Sequence, residues 1–150
     1  MGERKSIAED EKIGLNQNEV WIVDDEDEIL DSIMRALMLD AKKGGIEIKR
    51  FSTAQELLEE MQRRQDAKQK IAGTILVDKE LRKDDPKLQD GCELVRRIIE
   101  NQNIDTPNLI AHSAVDEYNE RLIEAGANSA LKKGQLLAIR EIISRLSEGE

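Results

Sequence analysis

Disulfide cross-linking within the chain is closed to this protein, whose only cysteine is Cys92, so its stability has to come from packing. Aromatic residues are nearly absent. Trp21, Phe51 and Tyr118 are the only three in 150 residues, and the core must therefore be built from Ile, Leu, Val, Ala and Met, which suits helices laid on a sheet. Positive charge is in deficit: 23 Lys and Arg against 32 Asp and Glu leave a formal charge of -9. Phosphate backbones are gripped by clustered Lys and Arg, and no basic stripe with interleaved aromatics occurs, which argues against direct nucleic-acid binding. No apolar run approaches the roughly 18–20 residues of a membrane span, and the N-terminus has no apolar signal core. These absences point to a cytoplasmic protein with no membrane partner. Met1-Gly2 followed by Ser6 fits a loose lipidation pattern, but a glycine after a start codon fits it as well.

The length allows one domain with its own core and is short for two. Residues 1–18 carry seven charges and no sustained period, and are expected to form a flexible charged tail. The domain is expected over residues 19–147, with 148–150 as a short second tail. Within it, short apolar runs alternate with helical patterns. Val20–Val23 makes a first strand. Ile29, Ile33, Leu37 and Leu39 then follow at near-helical spacing, up to an exit at Lys42-Lys43-Gly44-Gly45. Ile46, Ile48 and Phe51 form a second strand. Ser52 or Thr53 caps a helix through Arg64, with Glu56 completing a capping box and Leu57, Leu58 and Met61 as its buried stripe. Thr74–Val77 is a third strand, followed by a polar connection from Lys79 to Gln89. Gly91–Glu100 is a helix burying Leu94, Ile98 and Ile99. Asn108–His112 is a fourth strand, and Asp116 caps a helix that buries Leu122 and Ile123 and ends at Gly126. Ser129–Lys132 is a fifth strand, before a last helix from about Gln135. Such alternation predicts an α/β fold, a doubly wound parallel sheet covered on both faces.

Sheets of this kind bind ligands beyond the carboxyl ends of their strands, where the strand order reverses. Four apolar segments here end in residue types that handle phosphate or metal: Asp24-Asp25, Asp78, Ser113 and Lys133. The order and spacing of Trp21-Ile22-Val23-Asp24-Asp25-Glu26, Ile75-Leu76-Val77-Asp78, Asp90-Gly91, Ser113-Ala114 and Gly126-Ala127-Asn128 leading to Lys133 resemble the receiver domains of two-component response regulators, over about Val20 to Leu146. The resemblance implies a five-stranded flavodoxin-like fold with sheet order 2-1-3-4-5. It also implies Asp78 as acceptor of a phosphoryl group from a histidine kinase or histidine phosphotransfer protein. Asp24 and Asp25 would hold Mg²⁺ with Asp78, the backbone carbonyl of Glu80 completing the protein ligands. Ser113 and Lys133 would contact the phosphate. The chemistry is consistent with these roles, since attack by a carboxylate on a phosphoryl group requires charge on both partners to be neutralised. Ser147-Glu148-Gly149-Glu150, after the last helix, encodes no output domain, and the signal is expected to pass through contacts with a downstream protein. The expected role is signalling, with at most slow self-dephosphorylation rather than enzymatic turnover.

Each assignment has a plainer rival. An Asp-Asp pair after a strand can be only a turn and helix cap, a lone lysine is usually solvated, and Ser113 lies a residue later than the family spacing, which leaves His112 and Ala111 as alternatives for its place. His112 has no second histidine to share a metal with, and Cys92 is expected to pack. Tyr118 is expected to be half-buried. The chain departs from the family at three points. Ala130 stands where the switch aromatic is expected, Gly134 replaces the proline after the lysine, and the 79–89 connection is longer and more charged than the norm, with lid or kinase-selectivity roles set against a tolerated insertion. Two other functions remain open: a receiver-like interaction module not switched by phosphate, and a haloacid-dehalogenase-like phosphatase suggested by Asp25-Glu26-Asp27. The phosphatase would need an acidic pair after the lysine, where Gly134-Gln135-Leu136-Leu137 stands instead.

Overall fold

The computed structural model describes residues 12–23, 45–78, 91–113 and 115–132. Strands β1 (Leu15–Val23), β2 (Glu47–Phe51), β3 (Ile71–Val77), β4 (Asn108–Ser113) and β5 (Ser129–Lys132) form one sheet in the order β2-β1-β3-β4-β5. Every neighbouring pair is parallel. Three helices occur among the described residues: α1 (Ala54–Asp66), α2 (Gly91–Glu100) and α3 (Asp116–Ala125). The expected doubly wound sheet and its strand order are what the chain forms. The helices expected after Asp25 and from Gln135 lie outside the described residues.

Alternation along the strands explains why the runs are apolar throughout. Trp21, Val23, Ile75, Val77, Leu109 and Ala111 enter one core cluster with Leu57 and Met61 of α1, Leu94, Val95 and Ile98 of α2 and Leu122 of α3. The intervening Val20, Ile22, Leu76 and Ile110 are equally buried yet outside that cluster. Successive side chains point to opposite faces, so both faces of the sheet are covered. Cys92 packs in the cluster as expected.

Two strands start earlier than their apolar runs. β1 begins at Leu15, and Ile13 bridges Ile104, its N–H donating to Asn103 and its carbonyl accepting from Asp105 at 2.9 and 2.8 Å. Residues 13–18 therefore do not belong to a flexible tail. Pairing of Leu15 and Asn16 with β3 and of Ile13 with Ile104 holds the stretch, and polar Asn16, Gln17 and Asn18 hide that pairing from a hydrophobicity reading. β3 likewise starts at Ile71, ahead of Gly73. The glycine is there for a close approach: a Cβ would lie 2.8 Å from Gln17 Oε1 and 3.0 Å from the Asn16 carbonyl oxygen, where the β1–β3 register shifts between Asn16 and Val20. Gly73→Ala is expected to lower stability by about 1–3 kcal/mol, the range for overfilling a packed site, as read by urea denaturation.

Helix ends follow local chemistry. Thr53 Oγ1 accepts from Glu56 N–H at 3.0 Å, and the Glu56 carboxylate accepts from Ser52 N–H at 3.0 Å, a reciprocal box with its return bond one residue earlier than usual. For α3 the cap position is Val115, which supplies no side-chain bond, and Asp116 lies in the first turn, where its negative charge complements the positive end of the helix dipole. Asp116 is therefore not the cap. Gly126 closes α3 at φ +130°, donating to Ile123 and Leu122. Ile99 and Ile123, expected to be buried, are 39% and 44% exposed, because each lies one position round the helix from the inward residues Ile98 and Leu122. Leu58 is only partly buried, beside Leu57.

One charged cluster sits within this packing. Glu19, 1% exposed, accepts from Arg64 through both carboxylate oxygens at 2.8 and 2.7 Å and from Trp21 Nε1 at 2.9 Å. Arg64 also donates to Glu60 at 2.8 Å and to the Lys70 carbonyl at 2.9 Å, and its guanidinium stands 5.4 Å from the centre of the Trp21 ring. α1 is thereby clamped to β1. Burial alone would raise the Glu19 carboxyl, but the Arg64 and Trp21 bonds outweigh it and hold the group below its ordinary value. The Glu19 bond correspondingly raises Arg64.

Candidate functional site

Strand register brings the carboxyl ends together along one edge. Val23 of β1 pairs with Val77 of β3, and Val77 pairs with Ala111 of β4. Farther across, His112 and Ser113 pair with Leu131 and Lys132 of β5. Asp78 is the first residue past β3, 5% exposed, and its N–H donates to the Val23 carbonyl at 3.2 Å. The chain continues from Val23 into Asp24-Asp25 and from Lys132 into Lys133. β1 and β3 are also where the strand order reverses, so Asp78 lies at the switch point of the sheet.

Ser113 is the last residue of β4 and 3% exposed. Its Oγ accepts from Val115 N–H at 3.2 Å, a local hydroxyl turn. Its backbone is tied at both ends by one side chain: Asn119 Oδ1 accepts from Ser113 N–H at 2.9 Å, while Asn119 Nδ2 donates to the Ser113 carbonyl at 3.1 Å and to the Leu131 carbonyl at 3.4 Å. Ala111 lies lower, in the core opposite Val77, and His112 is buried within the β4–β5 ladder rather than solvated. Of the expected site residues, Asp78 and Ser113 fall on this edge. Asp24, Asp25, Glu80, Lys133 and Gly134, and the 79–89 connection, lie outside the described residues. Among the described residues no group of three His, Cys, Asp or Glu side chains could hold a metal.

The response regulator receiver domain family matches residues 20–146, most of the chain. The chain belongs to the response regulator receiver family. This receiver finds no match among curated proteins. Solved structures agree on the fold. The receiver domain of a Francisella response regulator is 22% identical with a TM-score of 0.64, the match covering 88% of this chain and 98% of that one. The receiver domain of a Pseudomonas aeruginosa sensor histidine kinase, with magnesium coordinated in its active-site cleft, is 21% identical with a TM-score of 0.62 over 87% of this chain and 98% of its own. A phosphorylated cyanobacterial phytochrome response regulator is 17% identical, TM-score 0.63, over 87% and 91%. Among the described residues no helix is long and apolar enough to cross a membrane.

Sequence reasoning passed over Asn119, which builds this edge of the receiver, and gave no role of its own to Asn128, at the opposite end of β5. Asn119 interrupts the inward stripe of α3 one turn before Leu122, and a polar residue at a buried helical position was the available signal. Asn128, part of the Gly126-Ala127-Asn128 motif, donates its N–H to the Leu109 carbonyl at 2.7 Å and accepts from Leu109 N–H through Oδ1 at 2.8 Å. It thus mimics a strand residue one step before Ser129 pairs with Ile110, and starts β5 in register. Ala130, in place of the expected aromatic, lies opposite Ala111 and packs against the core cluster.

Proposed function

We propose that this receiver accepts a phosphoryl group on Asp78 from the phosphohistidine of a sensor histidine kinase or histidine phosphotransfer protein, and signals through contacts with a downstream protein. The observation that carries the reading is the β1–β3 register, with Asp78 N–H bonded to the Val23 carbonyl, which sets the acceptor beside the strand that leads into Asp24-Asp25. In the transfer, a carboxylate oxygen of Asp78 bonds to phosphorus, the phosphorus–nitrogen bond of the donor breaks, and the imidazole leaves with that electron pair. The donor types, carboxylates and a backbone carbonyl, fit a hard divalent cation: Asp24, Asp25, Asp78 and the carbonyl of Glu80 would hold Mg²⁺. Bound there, Mg²⁺ would neutralise charge on the entering phosphoryl oxygens. Ser113 would donate its hydroxyl to one phosphate oxygen, and Lys133 would place its ammonium against another. The resulting aspartyl phosphate is lost slowly to water. The family is one of signalling modules rather than enzymes, and with Ala130 small and packed inward the output does not run through a rotating aromatic at that position.

Acetyl phosphate with Mg²⁺ is expected to add about 80 Da to the intact protein, and chelation of the metal to prevent it. No gain with small donors or with a phosphorylated kinase would leave the unswitched interaction module as the reading. Sustained hydrolysis of a generic phosphate ester would support the phosphatase.

A further inference from the structure

We infer that Asn119 is the positioning residue of this site, coupling the placement of the Ser113 hydroxyl on β4 to that of the β5 strand that leads into Lys133. The inference rests on the phosphate-contacting roles proposed for Ser113 and Lys133. Asn119 is 7% exposed, and three hydrogen bonds account for its amide: one received from Ser113 N–H, one given to the Ser113 carbonyl and one given to the Leu131 carbonyl. Only a carboxamide presents an acceptor and two donors on one short planar fork. Aspartate would set an acceptor against two carbonyls, and leucine would strip this partner from all three backbone groups, the N–H and carbonyl of Ser113 among them in a buried site where the loss is costly. Both peptide groups of Ser113 are thus fixed by one side chain. The Ser113 oxygen accepts from Val115 N–H, which orients the hydroxyl, and its proton is the group that a phosphate oxygen would take up. The same amide donates to the Leu131 carbonyl at 3.4 Å, two residues before Lys133 in the sequence, and so ties the end of β4 to β5. In a chain with Ala130 where an aromatic relay is expected, Asn119 provides a hydrogen-bonded link between the end of β4 and β5.

Beryllofluoride, a phosphoryl mimic, tests this when titrated with Mg²⁺ into the wild type, Asn119→Ala, Ser113→Ala and the double variant, with affinity read by calorimetry. Asn119→Ala is expected to weaken beryllofluoride binding by about tenfold, the worth of one buried hydrogen bond, with Mg²⁺ affinity alone unchanged. If Asn119 acts through Ser113, the double variant loses less than the product of the single losses. Losses that multiply fully, or a matching loss of Mg²⁺ affinity, would show a merely structural residue and overturn the inference. Asn119→Asp, which keeps the volume and the acceptor but not the donors, gives the same comparison if the alanine variant unfolds. Wild-type protein that binds no beryllofluoride overturns the phosphate-accepting reading and this inference together. Wild-type binding with undiminished affinity in both Asn119 variants overturns this inference alone.

Discussion

Asp78→Asn is expected to abolish the acetyl phosphate mass gain completely while the protein stays folded. An amide oxygen carries no full charge and is a poor nucleophile toward phosphorus, so the chemistry stops at its first step. The fold has no reason to follow. The hydrogen bond linking β3 to β1 at this point is made by the backbone N–H of residue 78 to the Val23 carbonyl, and the asparagine keeps it. The side chain is 5% exposed, and an amide costs less to bury than a carboxylate. The urea midpoint is therefore expected to stay level or rise. Intact-mass spectrometry and denaturation on the same samples decide the matter. A residual gain in the variant would mean another acceptor, with Asp25 the one that the phosphatase reading requires.

Glu19→Ala is expected to be the most damaging single change to stability among those considered, at about 3 kcal/mol, because it leaves a largely buried guanidinium without its main partner. The side chains of Arg64 and Glu19 are 12% and 2% exposed, so water cannot replace the lost carboxylate. Glu60 and the Lys70 carbonyl remain on Arg64 and keep the loss below that of a wholly orphaned charge. Replacing both partners with apolar residues, Glu19→Leu with Arg64→Met, is expected to recover most of the loss, since the pair repays little beyond its own desolvation. Urea denaturation of the single and double variants measures both effects. A pH dependence follows from the same cluster. Glu19 is held below its ordinary value of 4.5, so its contribution is fully present above that pH and is lost as pH falls through the depressed folded value. In Glu19→Leu/Arg64→Met that part of the acid destabilisation is expected to disappear.

These two sites differ in how openly the chain announces them. Asp78 was legible because a strand buried on both faces must be apolar, so a carboxylate directly after Thr74-Ile75-Leu76-Val77 marks a carboxyl end, and carboxyl ends are where such sheets bind ligands. The Glu19–Arg64 clamp was not legible. Its partners lie 45 residues apart, and each alone looks like a solvated charge near the end of an element. The early starts of β1 and β3 were hidden for a related reason. Asn16, Gln17 and Gly73 carry no β signal of their own, and their places are set by a partner strand.

The alternation of short apolar runs with amphipathic stretches, and the residues that end those runs, are local properties, and they alone determined the α/β class, the helix limits of α1 and α2 to within a few residues, and the choice of Asp78 and Ser113. Tertiary structure decided what depends on neighbours distant in the chain: the register shift between Asn16 and Val20 opposite Gly73, the exposure of Ile99 and Ile123, the burial of Glu19 against Arg64, and the placing of Asn119 between Ser113 and Leu131. A hydrophobic period reports how a segment meets the core, whereas a buried polar group is tolerable only where a partner has been brought to it, and that partner is supplied by the fold.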